Sequence, residues 1–326
     1  MRVPQNWMAG SLTLAAIAAL VAISSQLVLA QAELGPSSGP HGPGPSTALG
    51  PQEATSYLNF PIHRLKAVVP GLSGIKYDEH QEQLPIILNR VAQRIADVLP
   101  RLPDLISRED VYHFQSTADL GAPGGLAATQ PWGRRYRYLL LRQHNPDGSI
   151  TTVESRIDGA GRPVKDTAGL TALRVSGFYS QWLFFTADNQ PEFHFRYLGQ
   201  QEKGGRKTYS VAFAQEPEKV SDPAFFQANS KKVPFYFQGV LWVDEASFDI
   251  IELRTDLLAP LPQVQLRQFS TELTFRSVAI QGYNAVFWLP SEVDIQSDEG
   301  SGPSEESHRY SDYHLFHAQA RIVDTP

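Results

Sequence analysis

Residues 233–258, VPFYFQGVLWVDEASFDIIELRTDLL, decide the fold. Side chains alternate between the two faces of a strand, so Phe235, Phe237, Gly239, Leu241 and Val243 share one face and Tyr236, Gln238, Val240, Trp242 and Asp244 the other. Asp244 and Glu245 open an acidic turn that leads through Phe248 into a second apolar run. Two such runs joined by a tight turn predict an antiparallel hairpin.

The same alternation recurs on both sides. Upstream, EFHFRYLG and KTYSVAFAQ pair around Gly204 and Gly205, with Phe193, Phe195, Tyr197, Tyr209, Val211 and Phe213 pointing inward. Before them, RRYRYLLLRQ and SITTVESRI flank Asn145, Pro146, Asp147 and Gly148, a turn in which proline presets φ and glycine accepts a positive one. Val111 to Thr117 reads as the first strand, followed by the loop GAPGGLAA. Downstream, LRQFSTELTFRSVAI, NAVFWLP, SEVDIQS and HRYSDYHLFHAQARI complete about ten strands, mostly joined in order and therefore antiparallel. One amphipathic helix stands out over 81–99: Leu84, Ile87, Leu88, Val91, Ile95, Val98 and Leu99 recur at three- and four-residue steps, while Arg90, Gln93, Arg94 and Asp97 face away. Residues 170–185 fit a short helix or a strand, with the helix favoured, and 57–80 show no period and read as an irregular lead-in.

Between Met8 and Ala30 there is no charged residue, and Arg2 precedes this run. Its apolar part breaks at Ser24, Ser25 and Gln26, and small residues follow at signal-peptidase spacing, either Val28 and Ala30 or Ala30 and Ala32. The expectation is an export signal over 1–32, the alternative an uncleaved membrane anchor, and either delivers the rest to the periplasm or the cell exterior. Residues 33–56 are rich in Gly, Pro and Ser, too poor in apolar surface to offset ordering entropy, and read as a tether. Residues 57–326 then form a single domain of about 270 residues. The chain has no cysteine, which excludes disulfides, thiolate metal sites, a cysteine nucleophile and a lipidated N-terminal cysteine. A formal net charge of −6 without a lysine or arginine run leaves no footprint for nucleic acid.

From about Glu82 to Ile322 the chain resembles the superfamily of outer-membrane lipoprotein carriers, the LolA-like fold. The echoes are FQGVLWVDEASFDIIELRTDLL, where a strand ending in W-V-D precedes one of alternating charge, and GYNAVFWLPSEVDI. The resemblance implies an α+β fold in which a strongly curved antiparallel sheet forms an incomplete β-barrel packed on a leading helix. It also implies a lipid or acylated-protein partner, and an important arginine for which Arg137, Arg196 and Arg254 are equal candidates. The chain is considerably longer than a minimal carrier.

Chemistry is weakly marked. His308 and His314 are six residues apart on one strand, about 20 Å and too far to share a metal ion, and His314 and His317 point to opposite faces. His194 sits among polar neighbours opposite the core. Asp298, Glu299, Glu305 and Glu306 around Gly300, Gly302 and Pro303 read as a solvated hairpin loop without the register of a calcium site. No G-x-S-x-G elbow, phosphate loop or H-E-x-x-H is present, so no catalytic residue, metal or cofactor is assigned. What rises above background is a set of strand aromatics: Phe193, Phe195, Tyr197, Phe213, Phe235, Phe237, Trp242, Phe275, Phe287 and Trp288. Core packing is the first account of them; in an incomplete barrel the part that a single helix fails to cover becomes an apolar groove. The expected function is a non-catalytic exported binding protein holding an acyl chain there, and the alternative is an envelope interaction or structural module with a filled core and a protein partner.

Overall fold

In the computed structural model the described residues are 56–118, 126–128, 132–144, 150–164, 178–221, 223–228, 231–298 and 302–316. The export segment, the tether apart from Ser56, residues 121–125 of the loop GAPGGLAA, the Asn145–Gly148 turn and His317 lie outside them.

The chain enters through helix α1 (Ile62–Val68), a 3-10 turn at Pro70–Leu72 and strand β1 (Lys76–Tyr77), followed by helix α2 (Leu84–Val98). Next come β2 (Leu105–Ala118), β3 (Leu126–Ala128), β4 (Trp132–His144), β5 (Ile150–Ile157) and helix α3 (Phe178–Leu183). They are followed by β6 (Phe193–Lys203), β7 (Arg206–Gln215), β8 (Ala224–Ala228), β9 (Lys231–Phe235), β10 (Phe237–Asp244), β11 (Ile250–Leu257), β12 (Gln268–Ala279), β13 (Val286–Asp298) and β14 (Pro303–Leu315). Twelve of these strands form one antiparallel sheet in the order β1-β6-β7-β10-β11-β12-β13-β14-β2-β4-β5, with β3 beside β2. The sheet is an incomplete barrel: the early strand β2 lies beside the late strand β14, and the path ends on β1 and β5 without closing.

Two details differ from the sequence reading. The stretch from Val233 is two strands: β9 pairs with β8 in a separate ribbon, and the chain changes sheets at Tyr236, whose carbonyl accepts the Leu258 amide at 2.8 Å. Likewise the first long strand starts at Leu105 rather than Val111, directly after the proline-bearing turn Leu99–Arg101 and Pro103. On β13, Pro290 has no N–H to give the ladder; it is opposite Phe275, where the β12–β13 register shifts, so one strand runs through both NAVFWLP and SEVDIQS.

At β7, β10 and β11 the sheet is buried on both faces. On the inner face Ile87, Val91, Ile95 and Val98 of α2 pack with Leu241, Val243, Leu253, Phe269 and Leu273. On the outer face the lead-in forms a second core, in which Tyr57, Phe60, Leu65, Val69 and Leu72 cover Leu198, Ala212, Val240, Trp242 and Ile251. The lead-in has no readable period because its helix is only seven residues long. Side chains from the sheet hold it instead: Arg196 donates to the carbonyls of Leu58 (3.0 Å) and Phe60 (2.7 Å), Gln238 accepts the Tyr57 amide (2.8 Å), and Gln201 donates to Gly71 (2.8 Å). Its last strand, β1, approaches Gly199 so closely that a Cβ there would lie 2.1 Å from the Lys76 carbonyl oxygen, at φ +122°.

Gly239 shows how tightly the centre of the sheet is built. A Cβ at this position would lie 1.9 Å from the Arg254 carbonyl oxygen and 2.7 Å from the Phe213 ring. Gly239→Ala is therefore expected to push β10 from β11 and lose at least about 1–3 kcal/mol of stability. Urea unfolding measures this, and a loss within about 0.5 kcal/mol, the usual range of a neutral surface change, would contradict it.

Candidate functional site

The inner face is a continuous sheet of rings where β6, β7 and β10 meet α3. Phe193 lies 6.0 Å from Phe195 and 5.9 Å from Phe213, and Phe235 is 4.8 Å from Phe237. The α3 region fills the space above them: Phe184 stands 5.6 Å from Phe193 and 5.9 Å from Phe237, Phe185 5.2 Å from Phe213, and Trp182 5.7 Å from Phe275. A six-residue helix is too short to persist on its own hydrogen bonds. Trp182 and Phe185, both buried, hold α3 in place, and the turn behind it is tied to α2 by Gln190, which donates to the Leu88 carbonyl at 2.9 Å.

Two cavities of about 20 Å³ each lie in this core, and Trp182 lines both. The first is bounded by α2 and the start of β11, including Arg94, Phe248, Asp249 and Trp288. The second runs against Tyr138, Leu289, Pro290 and Tyr313. Each has room for about one water molecule. The inner face is thus filled by the chain's own side chains among the described residues, where the sequence reading expected an uncovered groove, because α3 supplies a second cover beside the leading helix. The filling is imperfect: Trp182 Nε1 and Gln181 Oε1 are buried without a hydrogen-bond partner, each at a cost of about 1–3 kcal/mol.

Further round the inner face the lining turns polar. Glu109 on β2 is fully buried and takes a bidentate ion pair from Arg156 on β5 (2.6 and 2.8 Å). Its Oε1 also meets His308 Nδ1 (2.8 Å) and accepts the Tyr310 hydroxyl (2.5 Å). The second ring nitrogen of His308 meets Glu306 at 2.7 Å, whose other oxygen lies 3.4 Å from His113 Nδ1. Burial pushes the Glu109 carboxyl up, but Arg156 and His308 outweigh it and hold the group down at about 2. Burial pushes His308 down, and its two carboxylates reverse this, leaving it raised. A histidine with a carboxylate on each nitrogen is doubly protonated. The arrangement links side chains of β2, β5 and β14 in one network.

The aromatic residues singled out in the sequence divide between the faces. Phe193, Tyr197, Phe213, Phe235, Phe275 and Phe287 are buried in the inner core, and Phe195 and Phe237 pack against it half-buried. Trp242 lies in the outer core under the lead-in, its ring 4.4 Å from Lys203 Nζ. Half-buried Trp288 packs against both cores. Of the three arginines, Arg196 anchors the lead-in, Arg254 pairs with Asp256 (2.8 Å) and Glu272 (2.6 Å), and Arg137 is exposed on β4. Glu306, read as part of a solvated loop, is 3% exposed, because β14 begins at Pro303 and carries it inward. His308 is buried with it, whereas His314 is exposed and bonds the Asp312 carbonyl. The sequence reading missed Trp182 as the central filler, and it missed Glu109, although Glu109 shares strand parity with Leu105 and Val111.

No family model matches the chain, and neither does any curated protein. Among solved structures it is similar to a DUF1329 family protein from Desulfovibrio piger ATCC 29098, at 12% identity over 71% of this chain and 92% of that one, TM-score 0.37. It is also similar to a putative outer membrane lipoprotein-sorting protein domain from Vibrio parahaemolyticus, at 11% identity over 69% and 90%, TM-score 0.34. A third likeness, to MucB in complex with MucA(peri), has 10% identity over 69% and 91%, TM-score 0.14.

Proposed function

We propose that this chain is an exported, non-catalytic binding protein that takes the acyl chain of a lipid or acylated protein against its aromatic inner face, with α3 as the element that gives way. The observation that carries this reading is Trp182: one residue of a six-residue helix lines both voids, and its Nε1 is buried without a hydrogen-bond partner among the described residues. Drug-sized ligands occupy about 300–1,000 Å³, so the voids of about 20 Å³ admit a chain only when α3 withdraws and joins them. Energy permits the exchange. A sixteen-carbon chain gains roughly 13 kcal/mol at about 0.8 kcal/mol per buried methylene, while exposing Trp182 and Phe185 costs about 1.5–3 kcal/mol each. The surplus of roughly 7–10 kcal/mol is of the same order as the association and ordering costs of about 4–15 kcal/mol. Export is supported by the uncharged run from Met8 to Ala30.

The filled inner face favours a second reading, an envelope interaction module that docks a protein partner and holds no ligand. Fluorescence titration with a sixteen-carbon fatty acid separates the two. The expected result is binding by the natural chain and, once Trp182→Ala opens the core, an affinity at least about tenfold higher, corresponding to roughly 1.4 kcal/mol less displacement cost. No binding by either form, together with no lipid in mass spectra of the exported protein, leaves the interaction module.

A further inference from the structure

We infer that the rim of the first cavity is the headgroup site for an anionic amphiphile, with Arg94 as its principal donor and Arg90 as the second. The inference rests on the acyl-chain reading and adds which of the two voids faces the polar group.

The helical pattern places Arg94 on the polar side of α2, yet the structure puts it on the wall of the cavity beside Trp182. It is held from one side only. Asp249, 7% exposed in its side chain, accepts Arg94 Nε at 2.7 Å and Nη2 at 3.3 Å. A guanidinium carries five N–H groups in a fixed fork, so this bidentate contact leaves donors on the face turned from Asp249. The Arg94 side chain is 29% exposed, so the rim opens to solvent at this residue. Two further guanidiniums flank the opening, each resting on a ring that lines it: Arg90 lies 5.9 Å from the Phe248 centroid and Arg206 5.2 Å from the Trp288 centroid.

Net charge does not decide the ligand's sign, since Asp244, Asp249 and Glu245 lie in the same turn as Phe248. Hydrogen-bond capacity does. Asp244 is engaged by Arg206 Nε (2.6 Å) and by the amide and hydroxyl of Ser247 (2.8 and 2.9 Å), and Asp249 is engaged by Arg94. Both aspartates are buried with their oxygens spoken for, whereas the arginines retain N–H groups in a planar fork that suits a carboxylate or phosphate. The second cavity has no such donor in its lining, which is Leu102, Tyr138, Leu140, Trp182, Leu289, Pro290 and Tyr313. A fatty-acid carboxylate and a phosphate headgroup share the chemistry the rim reads.

The test uses the full chain and four twelve-carbon probes that displace a fluorescent fatty acid: dodecanoate, dodecyl phosphate, dodecyl maltoside and dodecyltrimethylammonium. The anionic probes are expected to bind about tenfold or more tightly than the other two, the size of a charge-assisted hydrogen-bond pair. In Arg90→Gln, and in the paired change Arg94→Gln with Asp249→Asn, which replaces the ion pair by an amide pair and so spares the fold, the preference falls to within about threefold while maltoside binding is unchanged. If anionic and comparable probes bind equally, or the preference survives both variants, the rim is not the headgroup site and the acyl-chain reading stands. If none of the probes binds, both are overturned. If dodecanoate alone is preferred, the headgroup is a carboxylate, and if both anions are preferred, the rim reads any oxyanion; either supports the assignment.

Discussion

Glu109→Ala is expected to lower the unfolding free energy by about 3–5 kcal/mol, the cost of leaving a buried partner charge uncompensated. The change strips three donors of one acceptor: Arg156, His308 and the Tyr310 hydroxyl all converge on this carboxylate. Glu109→Gln keeps an acceptor oxygen and the shape but removes the charge, so it is expected to fall between the natural chain and the alanine variant. Urea unfolding at constant pH measures both, and a loss below about 1 kcal/mol for the alanine form would show that the network is not what joins β2 to β5 and β14.

The same network sets a pH profile. Glu109 titrates at about 2 in the fold against an ordinary 4.5, so its contribution is complete above 4.5 and lost as pH falls toward 2. His308 is raised above its ordinary 6.5, so its contribution is complete below 6.5 and lost as pH rises through its folded value. The two together place maximal stability between about 4.5 and 6.5. Glu109→Gln is expected to flatten the acid limb and weaken the alkaline one, because it removes one of the two carboxylates that hold the imidazolium.

Trp242→Ala is the second large effect. Removing a fully buried tryptophan costs about 3–5 kcal/mol, and here the vacated space lies between the sheet and the lead-in. Strap residues 56–77 are then expected to become protease-sensitive while the rest of the sheet resists. Limited proteolysis with N-terminal sequencing reads this. Cleavage scattered through the sheet instead would mean that the lead-in is fixed by Arg196, Gln201 and Gln238 alone and that the ring supports the sheet directly.

These two sites show what local pattern can and cannot reveal. The period-two reading of 233–258 separated Phe237 and Leu241 from Val240 and Trp242, and the structure buries the two sets in different cores. The alternation was legible because it is a property of consecutive residues. That Trp242 would be covered at all was not, since its cover is a stretch nearly two hundred residues earlier whose helix is too short for a period. The charged network was hidden for the same reason. Glu109 and His308 are 199 residues apart, and a glutamate between Arg108 and Asp110 reads as solvated until β14 is placed beside β2. The antiparallel sheet followed from strand order and the incomplete barrel from the family resemblance, while the part Trp182 plays stayed hidden because 170–185 fit a helix and a strand alike, and because the filling of a concavity depends on elements whose positions the strands do not dictate.

The lead-in has one more consequence, a mechanical one. From Ser56 on, the first described residues are held by the Tyr57–Gln238 and Leu58–Arg196 contacts on the outer wall. A pull applied at Ser56 is therefore borne first by the strap and the back of β10, not by the inner core. A protein tugged there would surrender its outer covering while its inner rings stayed packed.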